Sequence, residues 1–272
     1  MRVAQLRRRL NRLYRHYDTR FVNPDPLEFV RRAAPEDREV VGLIASSLAY
    51  GSVAQIKRSI GRVLAALGDA PTAAVRVLSP AEIARRLDGF KHRFNDARDV
   101  ACLLHFTRQM VERHGSVEGF FAAGHRPQAE DVGPALSSFA ARALALDHGG
   151  LYGNRALPAG AGVRFFFPSP LDRSPCKRLN LYLRWMVRRE GVDLGVWTRI
   201  DPRQLVIPLD AHVLAIARRT RLTSYCSPGW SMAVDITRRL RRLDPRDPVK
   251  YDFALHRMGL WKRRREIESL RG

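Results

Sequence analysis

Several residue types are scarce in this chain of 272 residues, and each scarcity argues against a class of protein. Three cysteines, Cys102, Cys176 and Cys226, are too few and too widely spaced for a disulfide framework or for a zinc or iron–sulfur ligand cluster. The apolar runs are far shorter than the roughly 18–20 residues that span a bilayer, which argues against a transmembrane protein. No apolar segment follows the N-terminal arginines as in a secretory signal, so we expect a cytoplasmic protein.

Acidic residues are outnumbered by basic ones, 27 to 48, which gives a formal net charge of +21. This charge favours a polyanionic partner, nucleic acid before membrane, although an arginine-enriched genome has the same effect on composition. Lysine is the scarce basic residue. An amine can lose its proton and attack carbon, whereas guanidinium stays protonated, so the retained lysines are candidates for covalent chemistry as well as ordinary surface residues. They are Lys57, Lys91, Lys177, Lys250 and Lys262.

The hydrophobic period is helical nearly throughout and predicts an all-α protein. The opening segment is an amphipathic basic helix, with Leu6, Leu10 and Leu13 in a stripe opposite arginines. No run predicts a strand, and no repeat is present. Residues 148–170 are rich in glycine and proline and predict a long irregular connection, in which Phe165–Phe167 is a buried anchor or, less often, part of a pocket.

Two helix starts carry the main candidates for catalysis. Ser174-Pro175 predicts a helix with Ser174 as N-cap and Lys177 at its third position, where the helix dipole disfavours the ammonium form. Asp210 is predicted to be the N-cap of a later helix, which stabilises its carboxylate. A cleft joining the two starts would hold an activated amine beside a negative charge. A surface lysine and a structural cap are the plainer interpretation of the same residues.

Residues around both positions resemble a known superfamily. Leu209-Asp210-Ala211-His212-Val213 is similar to the catalytic aspartate segment of helix-hairpin-helix DNA glycosylases of the endonuclease III superfamily. Cys176-Lys177-Arg178-Leu179-Asn180 occupies the place of their nucleophilic lysine, at an interval more like that of the archaeal 8-oxoguanine glycosylases. The resemblance implies two helical domains flanking a cleft: a six-helix barrel-like domain at 36–195, and a second domain from 1–35 plus 196–272.

A more extended resemblance, covering nearly the whole chain, is to a largely uncharacterised bacterial family within or near that superfamily. Two features of the superfamily are missing. The four-cysteine loop is absent, so no iron–sulfur cluster is expected. Arg173-Ser174-Pro175 replaces the Gly-x-Gly hairpin, which leaves its phosphate and cation site in question, although a helix start can itself bind phosphate. The segments that carry the likeness are 48–51, 89–94, 176–188, 192–197 and 244–255.

The superfamily resemblance implies a base-excision mechanism. A damaged nucleotide is flipped out of duplex DNA, Lys177 attacks its sugar, and Asp210 stabilises the positive charge that develops there. The resulting Schiff base permits AP-lyase chemistry, and 8-oxoguanine is the first substrate we expect. No metal or other cofactor is expected, and the protein is expected to be a nucleoid-associated monomer.

Other residues have lower rank as candidates. The DNA contacts that we predict are Arg178, Arg184, Arg188, His212, Arg218 and Arg219. Tyr50, Gln55, Trp185 and Trp230 are candidates for the base pocket or the wedge that fills the stack, although core packing is the plainer role for each.

Three alternatives to a bifunctional enzyme stay open. One is a monofunctional glycosylase, and another is a non-catalytic helix-hairpin-helix protein that binds nucleic acid. The third is a metal-dependent phosphodiesterase using Asp210 and His212, although the histidines lack a familiar ligand spacing.

Overall fold

The computed structural model describes residues 3–153 and 156–260. Over this range the chain is mostly helical, which confirms the all-α prediction. A hairpin of two-residue antiparallel strands, β1 Lys91–His92 and β2 Asn95–Asp96, is the exception. The α-helices are α1 Val3–His16, α2 Leu27–Arg32, α3 Arg38–Ser47, α4 Val53–Leu67, α5 Pro71–Val77, α6 Pro80–Arg86, α7 Ala97–His114, α8 Val117–Ala122, α9 Gly133–Leu144, α10 Lys177–Val187, α11 Ala211–Arg219, α12 Trp230–Arg241 and α13 Asp252–Leu260.

Helix ends follow the capping residues of the sequence. Helix α7 begins and ends at such signals: Asp96 and Asp99 form a capping box at its start, and Gly115 ends it with φ of 78°. The pair Asp247-Pro248 is typical of a helix start, but helix α13 begins at Asp252. Turns replace the expected first helical turn, with Lys250 N donating to Asp247 O and Asp252 N to Val249 O.

The strand hairpin was not predicted, because two-residue strands are too short to show a period of two. Its turn places Arg93 at φ of 55°, a left-handed conformation that is uncommon outside glycine. Helix α2 was also missed, since the prolines on either side of Asp25 suggested only a break in the chain.

Chain contacts divide the molecule into two compact units. The central unit is formed from 23–126 and 134–169. Helix α7 supplies much of its core, and Phe106, Phe121 and Phe139 are buried there. The phenylalanine triplet divides: Phe166 and Phe167 are buried anchors, whereas Phe165 is partly exposed.

The terminal unit is formed by the described residues within 1–22, 127–133 and 170–272. Helix α1 buries Leu10 and Leu13, and Tyr17 directly after it is buried as well. Helix α1 contacts α13, and Tyr251, just before α13, donates a hydrogen bond to Asn11 Oδ1 at 2.7 Å. Helix α11 also packs on α13. Residues 170–195 belong to this unit and not to the barrel-like domain of 36–195 that the resemblance implied.

No helix in the described ranges is long and apolar enough to cross a membrane.

Buried ion pairs join α10 to the segments that follow it. The side chains of Arg184 and Arg188 are each only 3% exposed. Asp193 pairs with both guanidinium groups, Asp252 pairs with Arg184, and Asp247 pairs with Arg188 at 2.9 Å. These ion pairs therefore connect α10 to the turns that contain Asp193 and Asp247 and to the start of α13.

Removing Asp193 should destabilise the protein strongly. Asp193→Ala leaves two buried guanidinium groups short of a counter-ion, and breaking a buried pair in this way costs roughly 3–5 kcal/mol of unfolding free energy. Urea unfolding at neutral pH measures the change. Glu112→Ala is the matched control, because Glu112 pairs with Arg108 on the exposed surface of α7, where a pair contributes about 0–1 kcal/mol. Equal losses in the two variants would contradict the prediction.

Candidate functional site

Lys177 is the first residue of α10. Cys176, at φ of 47°, takes the N-cap position, so the prediction that Ser174 caps the helix and Lys177 is its third residue is wrong. Ser174 Oγ instead accepts a hydrogen bond from Cys176 N at 3.2 Å, which tightens the turn before the helix. The placement of Lys177 in the first helical turn is confirmed, and its side chain is half-buried. The Lys177 side chain therefore extends from the positive end of the helix dipole.

Asp210 is the N-cap of α11, as predicted. Its Oδ1 accepts a hydrogen bond from Val213 N at 2.7 Å, and its Oδ2 lies 3.2 Å from His256 Nε2 on α13. The carboxylate side chain is 13% exposed. Both oxygens therefore have fixed partners while part of the group stays accessible to solvent.

His212 has a packing role beside this pair. Its ring meets the His256 ring edge to face, with centroids 5.2 Å apart, and its Cβ lies against Gly259. Any larger residue at 259 would collide with it. Within the described part of the chain, no group of three or more His, Cys, Asp or Glu residues is arranged to hold a metal ion.

Asp252, the first residue of α13, lies between the last turn of α10 and the charge of Asp210. It pairs with Arg184, two turns after Lys177, and its carboxyl group is close enough to Asp210 to be affected by that charge. Burial raises the pKa of Asp252 to about 7, against the opposing attraction of Arg184, and repulsion from Asp210 adds to the increase. Among the residues that the structure describes, none forms a hydrogen bond with its Oδ1. Arg184 and Arg188 face four carboxylates, since Glu190 also pairs with Arg188 at 3.3 Å, and this excess of negative charge favours retention of a proton near neutrality.

The raised pKa of Asp252 gives a pH dependence with a definite sign. The folded state binds this proton more tightly than the unfolded state, whose pKa is near 3.8, so stability from Asp252 is present below pH 4 and is lost as pH rises through about 7. Asp252→Asn removes the titration. We expect the stability of the variant relative to wild type to increase from pH 4 to pH 8, as measured by urea unfolding. A difference that is constant with pH would contradict this assignment.

Two of the other lysines form ion pairs. Lys57 pairs with Glu28 at 2.7 Å, and Lys250 pairs with Asp244 at 2.5 Å. Lys91 is exposed on the strand hairpin. Lys262 lies outside the described residues. Lys177 is thus distinguished by its place at a helix start, half-buried in the terminal unit.

Three of the predicted DNA-contacting arginines are buried. Arg184 and Arg188 belong to the buried ion pairs, so the prediction that they grip phosphates is wrong; sequence patterns show charge but not burial. Arg178 is also buried, which excludes it from a surface contact for the same reason. Arg218 and Arg219 are exposed in the last turn of α11, and Arg218 also donates to the carbonyl of Cys226.

The aromatic candidates for the base pocket have different surroundings. Trp185 is completely buried, so its assignment to a pocket or wedge is wrong. Trp230 is half-buried at the start of α12, and its ring lies against Gly133. Its backbone N–H donates to Arg173 O at 3.2 Å, four residues before Lys177. Gln55, half-buried in the first turn of α4, lies beside Gly51.

Tyr50 belongs to an aromatic cluster at the surface of the central unit. Its ring stacks on Phe94 at 5.4 Å and meets the edge of Phe165 at 4.9 Å. Phe94 and Phe165 are 54% and 37% exposed, which is unusual for phenylalanine. The Tyr50 hydroxyl donates to Asn95 Oδ1 at 2.5 Å, and the Tyr50 carbonyl lies 3.0 Å from His92 Nε2. The cluster is therefore held rigidly by the strand hairpin.

Sequence reasoning found Tyr50 but missed Phe94 as a partner. The only signal was the adjacency of Arg93-Phe94 within a segment without helical period. Phe165 was included in the triplet without separate assignment. Exposure of a phenylalanine depends on which loop covers it, and no local pattern reports that.

Comparison with protein families gives one match, to a family described as a protein of unknown function, DUF2400, over residues 25–261. The chain belongs to the DUF2400 family. Searches among curated proteins and solved structures gave no significant match. The DUF2400 match includes Tyr50, Lys177, Asp210 and His256, and it leaves helix α1 outside.

Proposed function

We propose that this protein is a DNA glycosylase with AP-lyase activity that uses Lys177 as nucleophile and Asp210 as the stabilising carboxylate. The observation that carries the proposal is that the last turn of α10 and the start of α11 are both fastened to α13. Arg184 of α10 pairs with Asp252, and Asp210 at the start of α11 contacts His256. An amine and a carboxylate at two rigid helix starts in one compact unit suit covalent attack on a sugar.

The proposed reaction begins with Lys177 and ends with its release from the cleaved strand. The lone pair of neutral Lys177 Nζ attacks C1′ of the nucleotide, and the C1′–N bond to the base breaks with its electron pair leaving on the base, which gains a proton. Opening of the sugar ring then gives an iminium between Nζ and C1′. Loss of a C2′ proton expels the 3′ phosphate by β-elimination, and water releases the lysine.

Asp210 has two roles in this scheme. Its carboxylate stabilises the positive charge that develops on the sugar, because a fixed charge in a partly buried site needs no reorganisation during the reaction. Its partial exposure also lets it exchange protons with the substrate. Val213 N–H and His256 hold the two oxygens in place, so His256 is a positioning residue for Asp210.

The aromatic cluster of Tyr50, Phe94 and Phe165 supplies a base-stacking surface in this proposal. A base stacked on an aromatic ring contributes about 1–3 kcal/mol of binding free energy, and any base provides the necessary face. Rigid rings also replace stacking lost from a distorted duplex at low entropic cost. We assign the cluster to unpaired bases of the DNA.

Borohydride trapping tests the proposal. Duplexes containing 8-oxoguanine, uracil, an oxidised pyrimidine or an abasic site are incubated with the full chain and sodium borohydride, and protein–DNA adducts are resolved on denaturing gels. An adduct on one lesion supports the Schiff base and identifies the substrate, with 8-oxoguanine expected first. If no adduct forms, base release without trapping would indicate a monofunctional enzyme. Duplex binding with neither activity would leave a non-catalytic nucleic-acid-binding protein.

A further inference from the structure

Helix α1 has one buried apolar face and an outward face built from arginine. Leu10, Leu13 and Tyr17 are buried against the terminal unit. With 3.6 residues per turn, Arg8, Arg12 and Arg15 fall in a sector of about 60° on the opposite side of the helix. All three are exposed, and α1 contains no acidic residue.

The outward arginines keep their charge available. Among the described residues, no carboxylate lies within ion-pair distance of Arg8, Arg12 or Arg15; the Arg15 Nε donates only to the Asn11 carbonyl, at 3.3 Å. Asp18, which follows α1, is instead engaged by Arg20 at 3.0 Å. This differs from arginines elsewhere on the surface, such as Arg86 and Arg203, whose charges are compensated by neighbouring carboxylates.

We propose that the outward face of α1 binds the phosphate backbone of duplex DNA without sequence preference. Arg8 to Arg15 spans about 10 Å along the helix axis, the axial length of about three phosphates of one strand. Duplex DNA has the high linear charge density that such a row matches. The proposal concerns binding alone and does not depend on chemistry at Lys177.

A membrane surface fits this face less well. Basic amphipathic helices bind lipid by inserting their apolar face below the headgroups. In α1 that face is already buried: Leu10, Leu13 and the following Tyr17 lie in the interior of the terminal unit, where α1 contacts α13. The exposed face of α1 therefore offers only positive charge to a partner. Because it has no apolar residues to insert into lipid, this face favours nucleic acid over a membrane.

The salt dependence of binding to an undamaged duplex of mixed sequence tests the inference. Each phosphate contact contributes about 0.9 to the slope of log K against log salt, so R8Q/R12Q/R15Q should make the slope shallower by about 2.7. Affinity should fall on the order of 10²-fold at 0.1 M salt. R8K/R12K/R15K, which keeps the charge, should retain the wild-type slope. The control R20Q/R86Q/R203Q removes three exposed arginines that are already ion-paired, and its slope should change little.

Two outcomes would overturn the inference. One is a wild-type slope in R8Q/R12Q/R15Q with helix content and urea midpoint retained. The other is that R8Q/R12Q/R15Q loses binding to phosphatidylserine vesicles that the wild type binds, while its duplex binding is unchanged. That result would assign α1 to a membrane surface. A wild-type protein that binds duplex with the expected slope but forms no borohydride adduct would refute the proposed enzyme and leave this inference standing.

Discussion

Lys177→Gln is expected to abolish the borohydride-trapped adduct and leave duplex affinity unchanged. Glutamine has no nucleophilic nitrogen, so neither attack on C1′ nor the iminium can form. Lys177→Arg should be equally inactive in trapping, because guanidinium keeps its proton at neutral pH. Since Lys177 is the first residue of α10 and is not part of the buried ion pairs, both variants should fold normally.

Lys91→Gln is the matched control for this experiment, because it removes an exposed lysine from the strand hairpin. Its adduct yield should equal that of wild type. An adduct that persists in Lys177→Gln would exclude Lys177 as nucleophile. Peptide mapping of that adduct would then identify the lysine responsible.

Asp210→Asn is expected to separate the chemistry of Asp210 from its structural role. Asparagine is as good an N-cap as aspartate, so Oδ1 can still accept from Val213 N–H and stability should change little. The negative charge is lost. We expect the single-turnover rate of base release to fall on the order of 10²–10³-fold, the usual effect of removing one electrostatic group from a preorganised site.

Asp210→Ala provides the comparison. It removes the charge and the cap together, so it should lose activity to the same extent and also lose about 1 kcal/mol of unfolding free energy. Rapid-quench kinetics and urea unfolding measure the two quantities. An Asp210→Asn variant with the base-release rate of wild type would show that Asp210 is only a helix cap.

The sequence predicted helices well because their signals are local. Capping residues, glycine stops and a period of 3.6 residues determined α7 and the start of α11. Where local signals compete, the prediction failed: Ser174-Pro175 resembles a helix start, but Ser174 caps the preceding turn and the helix begins two residues after Pro175.

Burial was the part of the site that sequence could not supply. Arg184 lies in α10 and Arg188 directly follows it, in a segment rich in arginine. Both are nevertheless buried, because they pair with Asp193, Asp247 and Asp252, which come later in the chain. An arginine in a phosphate contact and an arginine in a buried pair have the same local pattern. His256 was missed for a similar reason, because its contact with Asp210 spans two helices and leaves no spacing signal.

The division of the chain into two units also has a consequence for synthesis on the ribosome. All residues of the central unit lie at or before 169, so we expect it to fold while the rest of the chain is still being made. The terminal unit cannot, because α1 packs against α13, and Tyr251 is the partner of Asn11. We therefore expect Leu10, Leu13 and Tyr17 to stay exposed until α13 has been synthesised. During that interval the arginines of α1 keep this nascent apolar segment hydrated and oppose its aggregation by mutual repulsion.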